Sequence, residues 1–549
     1  MVATIGVTRP TGLSGRAIGI MKNCKNCSQA FEIRDTDHAF YAKMDLSEPT
    51  LCPSCAMQRR YAWRNERKLY NRKCDLCSKK IISCFFDPKL TVYCRECWWG
   101  DKWDRDAYGR EFDFNRPFFE QFAELQKAFP HFQLFQEGTS ENCEYTNYGF
   151  GNKSCYMALC AWSENVYYGW AALRSRDGID LTKVDECTEC YECIDCFRST
   201  RLLFSKNCYQ CHDSAFLINC TNAQNCFGSI NLNHKQYVFL GKQLTKEQYE
   251  AKMATIKFDN QKVEEMRSYM KAFSEKSIHR AYIGVNNSNS SGNYLDNTEN
   301  CYQCYDTLQA KDCAYCDFAG GGAQDIWSCS NGGIGSNLVY ESMGFSAMNN
   351  VAFLLYGREC SDSFYNQYCF SSNHLFGCIG LSRKEYRIFN KQYSREGYEA
   401  LVPKIIQHMK KGNEWGDFFP AALSPYGYNE TIAQDYFPLT KEQVIQKGWK
   451  WKEEAHVAKN EETETVKICK KCQHTFQLIE QELLFYKRFS LPHPDHCPEC
   501  RHQRRVNQRN PRKLFDRTCA KCTAPIQTTY SPDRPETIYC EECYLKEVY

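Results

Sequence analysis

Eight C-x2-C pairs, four near each end of a 549-residue chain, constrain the fold more than any other feature. Two residues between cysteines let both thiolates of a knuckle face one cation, and two knuckles complete a tetrahedral four-sulfur shell. Upstream, Cys24/Cys27 pair with Cys52/Cys55, and Cys74/Cys77 with Cys94/Cys97. Downstream, Cys469/Cys472 pair with Cys497/Cys500, and Cys519/Cys522 with Cys540/Cys543. Four protein ligands leave no position for water or substrate, so the sites are expected to be closed and structural. Zinc is the default ion, four per chain, with iron chemically possible on the same ligands.

The two sets are copies. The shift that carries Cys24 to Cys469 also carries Cys27, Cys52, Cys55, Cys74 and Cys77 onto Cys472, Cys497, Cys500, Cys519 and Cys522, and only the last pair slips by one residue. Phe40-Tyr41 matches Phe485-Tyr486, and Pro53 matches Pro498. Such a repeat implies two double-metal modules, over 22–110 and 467–549. The stretch CKNCSQAFEIRDTDHAFYAKMDLSEPTLCPSCAMQRR resembles the zinc-ribbon or treble-clef domain of small bacterial proteins: C-x2-C, a following Phe, a Phe-Tyr pair, CPxC and paired basic residues. The match recurs at 469–505. Over its full length the chain resembles a large cysteine-rich family of candidate-phyla bacteria, a resemblance that implies an architecture and brings no known activity.

In a treble clef the last ligand pair opens a helix, and Pro53 suits a first helical turn. QRRYAWRNERKLYNRK follows, with Arg59, Arg60, Arg64, Arg67, Lys68 and Arg72; its copy QRRVNQRNPRKLFDRT keeps Arg504, Arg505, Arg509, Arg512, Lys513 and Arg517. Arg60, Arg64 and Arg67 fall on one helical face, as do Arg505 and Arg509 until Pro511 ends that helix. Arginine's planar fork suits phosphate, and Trp63 and Tyr70 add base-stacking surfaces. These residues are candidates for RNA or DNA contact. The competing reading is a solvated cationic face, or arginines bridging to acidic neighbours within the fold.

The remaining twenty cysteines are Cys84, unassigned, and nineteen between Cys143 and Cys378. CTECYECIDC, with Cys187, Cys190, Cys193 and Cys196, superficially resembles an iron–sulfur run. A six-residue period explains it better: Glu189-Cys190, Asp195-Cys196, Asn207-Cys208, Asp213-Ser214, Asn219-Cys220, Asn225-Cys226 and Asn231-Leu232, with Arg201-Leu202 the irregular member. Asn and Asp suit corners because they tolerate left-handed backbone, and cysteine suits a narrow interior. The period predicts a hexad β-solenoid whose cysteines line a buried ladder. This region is duplicated too. Cys211, Asp213, Cys220 and Tyr237 shift onto Cys360, Asp362, Cys369 and Tyr386, and INLNHKQYVFLGKQLTKEQYE aligns with IGLSRKEYRIFNKQYSREGYE.

The expected fold is therefore multidomain and mainly β: two tandem hexad-type β-solenoid blocks with capping helices, flanked by the duplicated four-cysteine modules. The divisions are a loose tail over 1–21, with Met21 a candidate start; a capping-helix region over 111–140; block 1 over 141–244; helix and linker over 245–285; block 2 over 286–393; a helix over 394–411; and an aromatic segment with acidic linker over 412–466. Thr245 and Ser394 are expected helix N-caps, and Asn286–Gly292 a polar linker. A helix near 115–129, capped by Asn115, is expected as a lid over the first coil. The aromatic segment, with Trp415, Phe418 and Phe419, should pack on the body, and the stretch through Glu461, Glu462 and Glu464 should be a linker.

No run of 18 apolar residues exists, mean hydropathy is −0.61, and Arg9, Pro10 and Arg16 interrupt any signal-peptide core. A cytoplasmic protein with reduced cysteines is the expectation, without membrane contact. A net charge of +3 gives no global attraction to polyanions, so any nucleic-acid surface must be local. The favoured function is a zinc-binding, non-catalytic scaffold that binds RNA or DNA through its arginine-rich helices. The alternatives are a protein–protein assembly platform using the solenoid face, and an enzyme. Hexad solenoids resemble acyltransferases that use a histidine base, for which His212, His234 and His374 are the available residues. Yet His212 aligns with Ser361 and His234 with Arg383 in the duplicate, and no nucleophile triad or phosphate loop is present.

Overall fold

Every third residue from Trp162 to Asn225 has a positive φ, between 47° and 61°. The residue after each such corner points inward: Cys187, Cys190, Cys193, Cys196, Ser199, Leu202, Ser205, Cys208 and Cys211 are all buried. Parallel bridges run Trp170–Thr182–Ile194–Lys206–Ile218, one coil per twelve residues. The solenoid coil is therefore four sides of three residues. The six-residue period of the sequence is half a coil, and Arg201-Leu202 is a regular member, its corner at φ 47° and its leucine buried. A shell of one residue per side leaves an interior too narrow for large side chains, which is why Cys, Ser, Ala and Leu fill it.

The computed structural model describes residues 19–453 and 463–549. Most of the expected tail, and Glu461 and Glu462 of the acidic stretch, lie outside the described residues; Ile20 and Met21 belong to the first strand, Ile20–Asn23. Block 1 is an eight-stranded and a four-stranded array and block 2 a ten-stranded one, parallel except for the closing strand of each block. Each block ends in an antiparallel hairpin, Val238–Phe239 with Lys242–Gln243 and Glu385–Ile388 with Lys391–Gln392, and then a helix. Thr245 and Ser394 cap those helices, accepting the Gln248 and Gly397 N–H groups. A second helix, Asn260–Glu275, packs its Val263, Met266 and Met270 on Phe216 and Phe227 of block 1.

Two expectations change. Asn286–Gly292 is no linker but the opening of block 2: Asn286 and Asn289 sit at corners and donate to Asn297 and Asn300 of the next coil. Gly292 is required there, since a Cβ would lie 1.7 Å from the Cys304 carbonyl oxygen. The capping helix, Phe118–Ala128, covers block 2 rather than the first coil: Phe118 packs on Phe376 and Phe389, and Gln126 bonds Gln367. Its N-cap is not Asn115. The Phe118 and Phe119 N–H groups donate instead to the Glu414 carboxylate, at 2.8 and 2.9 Å.

The aromatic segment does pack on the body. Trp415, Phe418 and Phe419 join one core with the upstream metal module and block 2. Block 1 shares its outer core with the downstream module, through Tyr168, Ile179 and Tyr191 against Phe476, Phe485 and Tyr486. The modules are thus crossed: the first docks on the second block and the last on the first. Among the described residues, no helix is long and apolar enough to cross a membrane.

Candidate metal centres

Each four-cysteine set is built the same way. A short antiparallel hairpin carries the first knuckle at its turn, as in Ile20–Asn23 with Ala30–Ile33 around Cys24 and Cys27. The third cysteine is the N-cap of a helix: Cys52 before Pro53–Tyr61, Cys94 before Arg95–Trp99, Cys497 before Pro498–Asn507 and Cys540 before Glu541–Val548. In all four sets the sulfurs lie within 4.8 Å of one another. Cross-knuckle Sγ–Sγ separations are 3.8 Å for Cys27/Cys52 and Cys77/Cys94, and 3.7 Å for Cys472/Cys497 and Cys522/Cys540. A tetrahedron with metal–sulfur bonds of about 2.3 Å has an edge of about 3.8 Å, so the donor sets fit one four-coordinate ion each.

Backbone N–H groups point at the sulfurs. Cys94 N–H donates to Cys74 Sγ and Cys540 N–H to Cys519 Sγ, both at 3.2 Å. Burial raises the Cys74 thiol, but N–H donors from Cys94, Cys77 and Leu76 outweigh it and bring the value down to about 7. The same opposition brings Cys469 to about 7 and Cys519 to about 6. Thiolates held this way are prepared to bind a cation.

The solenoid cysteines form no such set among the described residues. Most of their thiols donate to two backbone carbonyls, one two residues back and one on the next coil: Cys193 Sγ reaches Tyr191 O at 3.6 Å and Leu202 O at 3.1 Å. Ser175 makes the same two bonds from an equivalent position. The CTECYECIDC run is therefore ladder. Cys84 is also buried, its sulfur 3.4 Å from Tyr426 Oη, and burial pushes its thiol up to about 12.

The arginine stripes correct the expectation of an exposed polyanion surface, because their side chains turn inward. The first helix ends at Tyr61 and the second at Asn507, ahead of Pro511, so Arg64, Arg67 and Arg509 lie beyond helices. Arg60 is fully buried, bonding Glu341 at 3.0 Å and Ser330 at 3.2 Å. Arg505 repeats this with Asp180 at 3.0 Å and Thr182 at 3.2 Å. Arg59 pairs with Glu341 and Asp417, and Arg504 with Glu192 at 2.5 Å. Arg64 pairs with Glu66, and Arg67 with Asp435 and Glu499. Arg509 joins Asp195 to Asp306, and Arg512 joins Asp306 to Asp317. Arg72 bonds the Asp87 and Leu90 carbonyls, and Arg517 those of Ser531 and Glu536. Lys513 is exposed, and Lys68, half-buried, reaches Glu499. Trp63 is buried with its N–H on Phe419 O, and Tyr70 Oη donates to Glu430.

The acidic partners were not singled out from the sequence, although a signal exists. Glu192 relates to Glu341 by the shift that relates Cys211 to Cys360, and Arg504 to Arg59 by the shift that relates Cys469 to Cys24. Both members of each docking pair are duplicated together. Buried Glu482 and Asp37 form another matched pair, accepting Tyr168 Oη and Tyr315 Oη at 2.9 and 2.8 Å.

His212 bonds Thr200, His234 bonds Asn222 and His374 stacks on Tyr386, so the three sit apart with no shared carboxylate partner in these contacts. A cavity beside Glu192, Arg267 and Arg504 holds about 40 Å³ and one beside Asp37, Tyr315 and Glu341 about 10 Å³, room for water. No family model matches the chain, and no curated protein matches it. Among solved structures, a Desulfovibrio desulfuricans protein assigned as an acetyltransferase is similar over 47% of this chain and 70% of its own, at 7% identity and a TM-score of 0.11. A score that low carries no argument about fold or activity. The chain is, on its own evidence, a mainly β solenoid protein with four cysteine sets able to hold metal.

Proposed function

We propose that this protein is a zinc-stabilised, non-catalytic scaffold in which paired metal modules clamp two solenoid blocks together. The observation that supports it most is the docking of the first and third cysteine sets through buried arginine–carboxylate pairs, Arg60 on Glu341 and Arg501 and Arg505 on Asp180, with every ligand position filled by protein. Zinc is favoured over iron because four thiolates in a closed shell are its usual structural site. Most of the arginines are held by internal carboxylates and the others by backbone carbonyls, so RNA or DNA is the weaker partner class. The outer solenoid sides, with exposed Trp162, Leu173, Leu308 and Ile334, are the surfaces left for a protein partner. The acyltransferase alternative gains nothing from the scattered histidines.

Single replacements separate these readings. Arg60→Met and Arg505→Met should each lower stability in urea by about 1.5–3 kcal/mol, because each removes a charged hydrogen-bond donor and leaves Glu341 only Arg59, and Asp180 only Arg501. Salt-sensitive RNA or DNA binding that disappears in Arg59→Gln or Arg504→Gln, with stability unchanged, would favour the nucleic-acid scaffold instead.

A further inference from the structure

Block 1 hands over to block 2 through a short joint. After the helix Asn260–Glu275 the chain runs as the strand Ile278–Arg280 and enters the first coil of block 2 at Gly284. That strand belongs to a two-stranded parallel sheet whose other member is Thr537–Tyr539, the three residues directly before Cys540. The register is Ile278 to Thr537, His279 to Ile538 and Arg280 to Tyr539, and Ala281 N–H donates to Tyr539 O at 2.9 Å.

The second knuckle of the fourth set itself grips the joint. Glu541, between ligands Cys540 and Cys543, accepts from the Arg280 guanidinium and, at 2.6 Å, from Tyr282 Oη. Tyr544 Oη, one residue past Cys543, donates to Asn231 of block 1, whose amide donates in turn to Ile278 O. A three-residue parallel pair has too few bonds to persist alone, so its order depends on what holds Thr537–Tyr539 in place. The cysteine set is its main anchor: Cys540 follows it directly, and Ala520 N–H, next to ligand Cys519, donates to Ile538 O at 2.9 Å, with Thr528 Oγ1 on Ala281 O a further tie.

This set is also the most accessible of the four. Cys519 alone is buried, Cys522 is exposed, and Cys540 and Cys543 are half-buried, whereas the first two sets each have three buried ligands. A competing chelator reaches it first.

We propose that the fourth cysteine site is a metal-operated latch on the joint between the solenoid blocks. With its ion bound, the site holds Ile278–Tyr282 against the downstream module; with the ion removed, that segment is released while the rest of the chain stays folded. The inference rests on the metal reading above.

Limited trypsin digestion of the full metal-loaded chain, followed by fragment masses and metal content, tests it. Wild type should carry four ions and resist cleavage after Arg280. Cys543→Ser should carry three and be cut there at least tenfold faster than Cys77→Ser, whose lost ion comes from the second site. Glu541→Gln should keep four ions and still be cut after Arg280 severalfold faster than wild type. Cys543→Ser cut after Arg280 no faster than Cys77→Ser would overturn the latch, as would wild-type protection in Glu541→Gln. If Cys543→Ser is cut at every arginine, wild type titrated with a zinc chelator decides instead: cleavage after Arg280 should rise as the first ion leaves, and protection that lasts until the other ions are lost would overturn the latch. A wild-type chain without metal in the fourth site would overturn the metal reading together with the latch.

Discussion

A guanidinium carries five donors and a permanent charge, so burying one requires acceptors around it. Arg501 shows how this chain supplies them: Asp180 at 2.6 Å, Glu482 at 3.2 Å and His496 O at 3.0 Å, with the Tyr168 ring 5.2 Å from its carbon. Helical periodicity places Arg60, Arg64 and Arg67 on one face, but the helix ends at Tyr61, and the period does not say that these side chains turn inward. Direction depends on acids more than a hundred residues away, such as Glu341, and local pattern does not report those. His131 makes the opposite choice, being buried and neutral. Burial, with Arg72 nearby, pushes its imidazole down to about 4. Its folded value lies below the unfolded value of about 6.5, so the unfolded chain binds more protons between them. The associated stability is fully present above pH 6.5 and falls by about 3 kcal/mol as pH drops toward 4. Urea midpoints of wild type minus those of His131→Phe, which cannot titrate, should show that loss. Parallel pH curves would contradict it.

Elements here are stabilised by partners distant in sequence. The helix Phe118–Ala128 begins at Pro117 without a cap of its own, and Glu414 satisfies two of its free N–H groups. Glu414→Ala should cost about 0.5–2 kcal/mol in urea unfolding, and an unchanged midpoint would mean water replaces the carboxylate without loss. Such a cap is not readable locally, where Asn115 and Asp113 offer the right chemistry and neither caps the helix. The solenoid was far more legible. Small inward residues and Asn or Asp corners at fixed spacing pointed to a ladder, and Asp195, Asn207, Asp213, Asn219, Asn225 and Asn231 all have the left-handed backbone expected of them. The period was read at twice its true length because Arg198, Phe204, Gln210 and Phe216 occupy the intervening corners at φ 49°, 51°, 50° and 56°. Side chains of that size disfavour this backbone, and the interlocked coils impose it. Phe204 and Phe216 are there for another reason: they face the helix Asn260–Glu275 and the segment around Phe258.

At the scale of the whole molecule, duplication explains the crossed docking. Two matched units, each a solenoid block with a double cysteine module, share one chain in which the modules are outermost and swapped. Asp306 ties them together, receiving Lys183 of block 1 and both Arg509 and Arg512 of the downstream module, and these cations hold its carboxyl well below the usual range despite burial. The net charge of +3 thus reflects internal neutralisation, since the local basic stripes are matched by carboxylates on the solenoid surfaces they cover. The sixteen module cysteines and the solenoid cysteines have different work to do, and that division is the central claim. Elemental analysis with native mass spectrometry of the full chain tests it most directly, with Cys190→Ser/Cys193→Ser beside wild type. Four zinc ions per chain are expected in both proteins. Two or fewer ions, iron accompanied by sulfide, or metal lost in the Cys190→Ser/Cys193→Ser chain would contradict it.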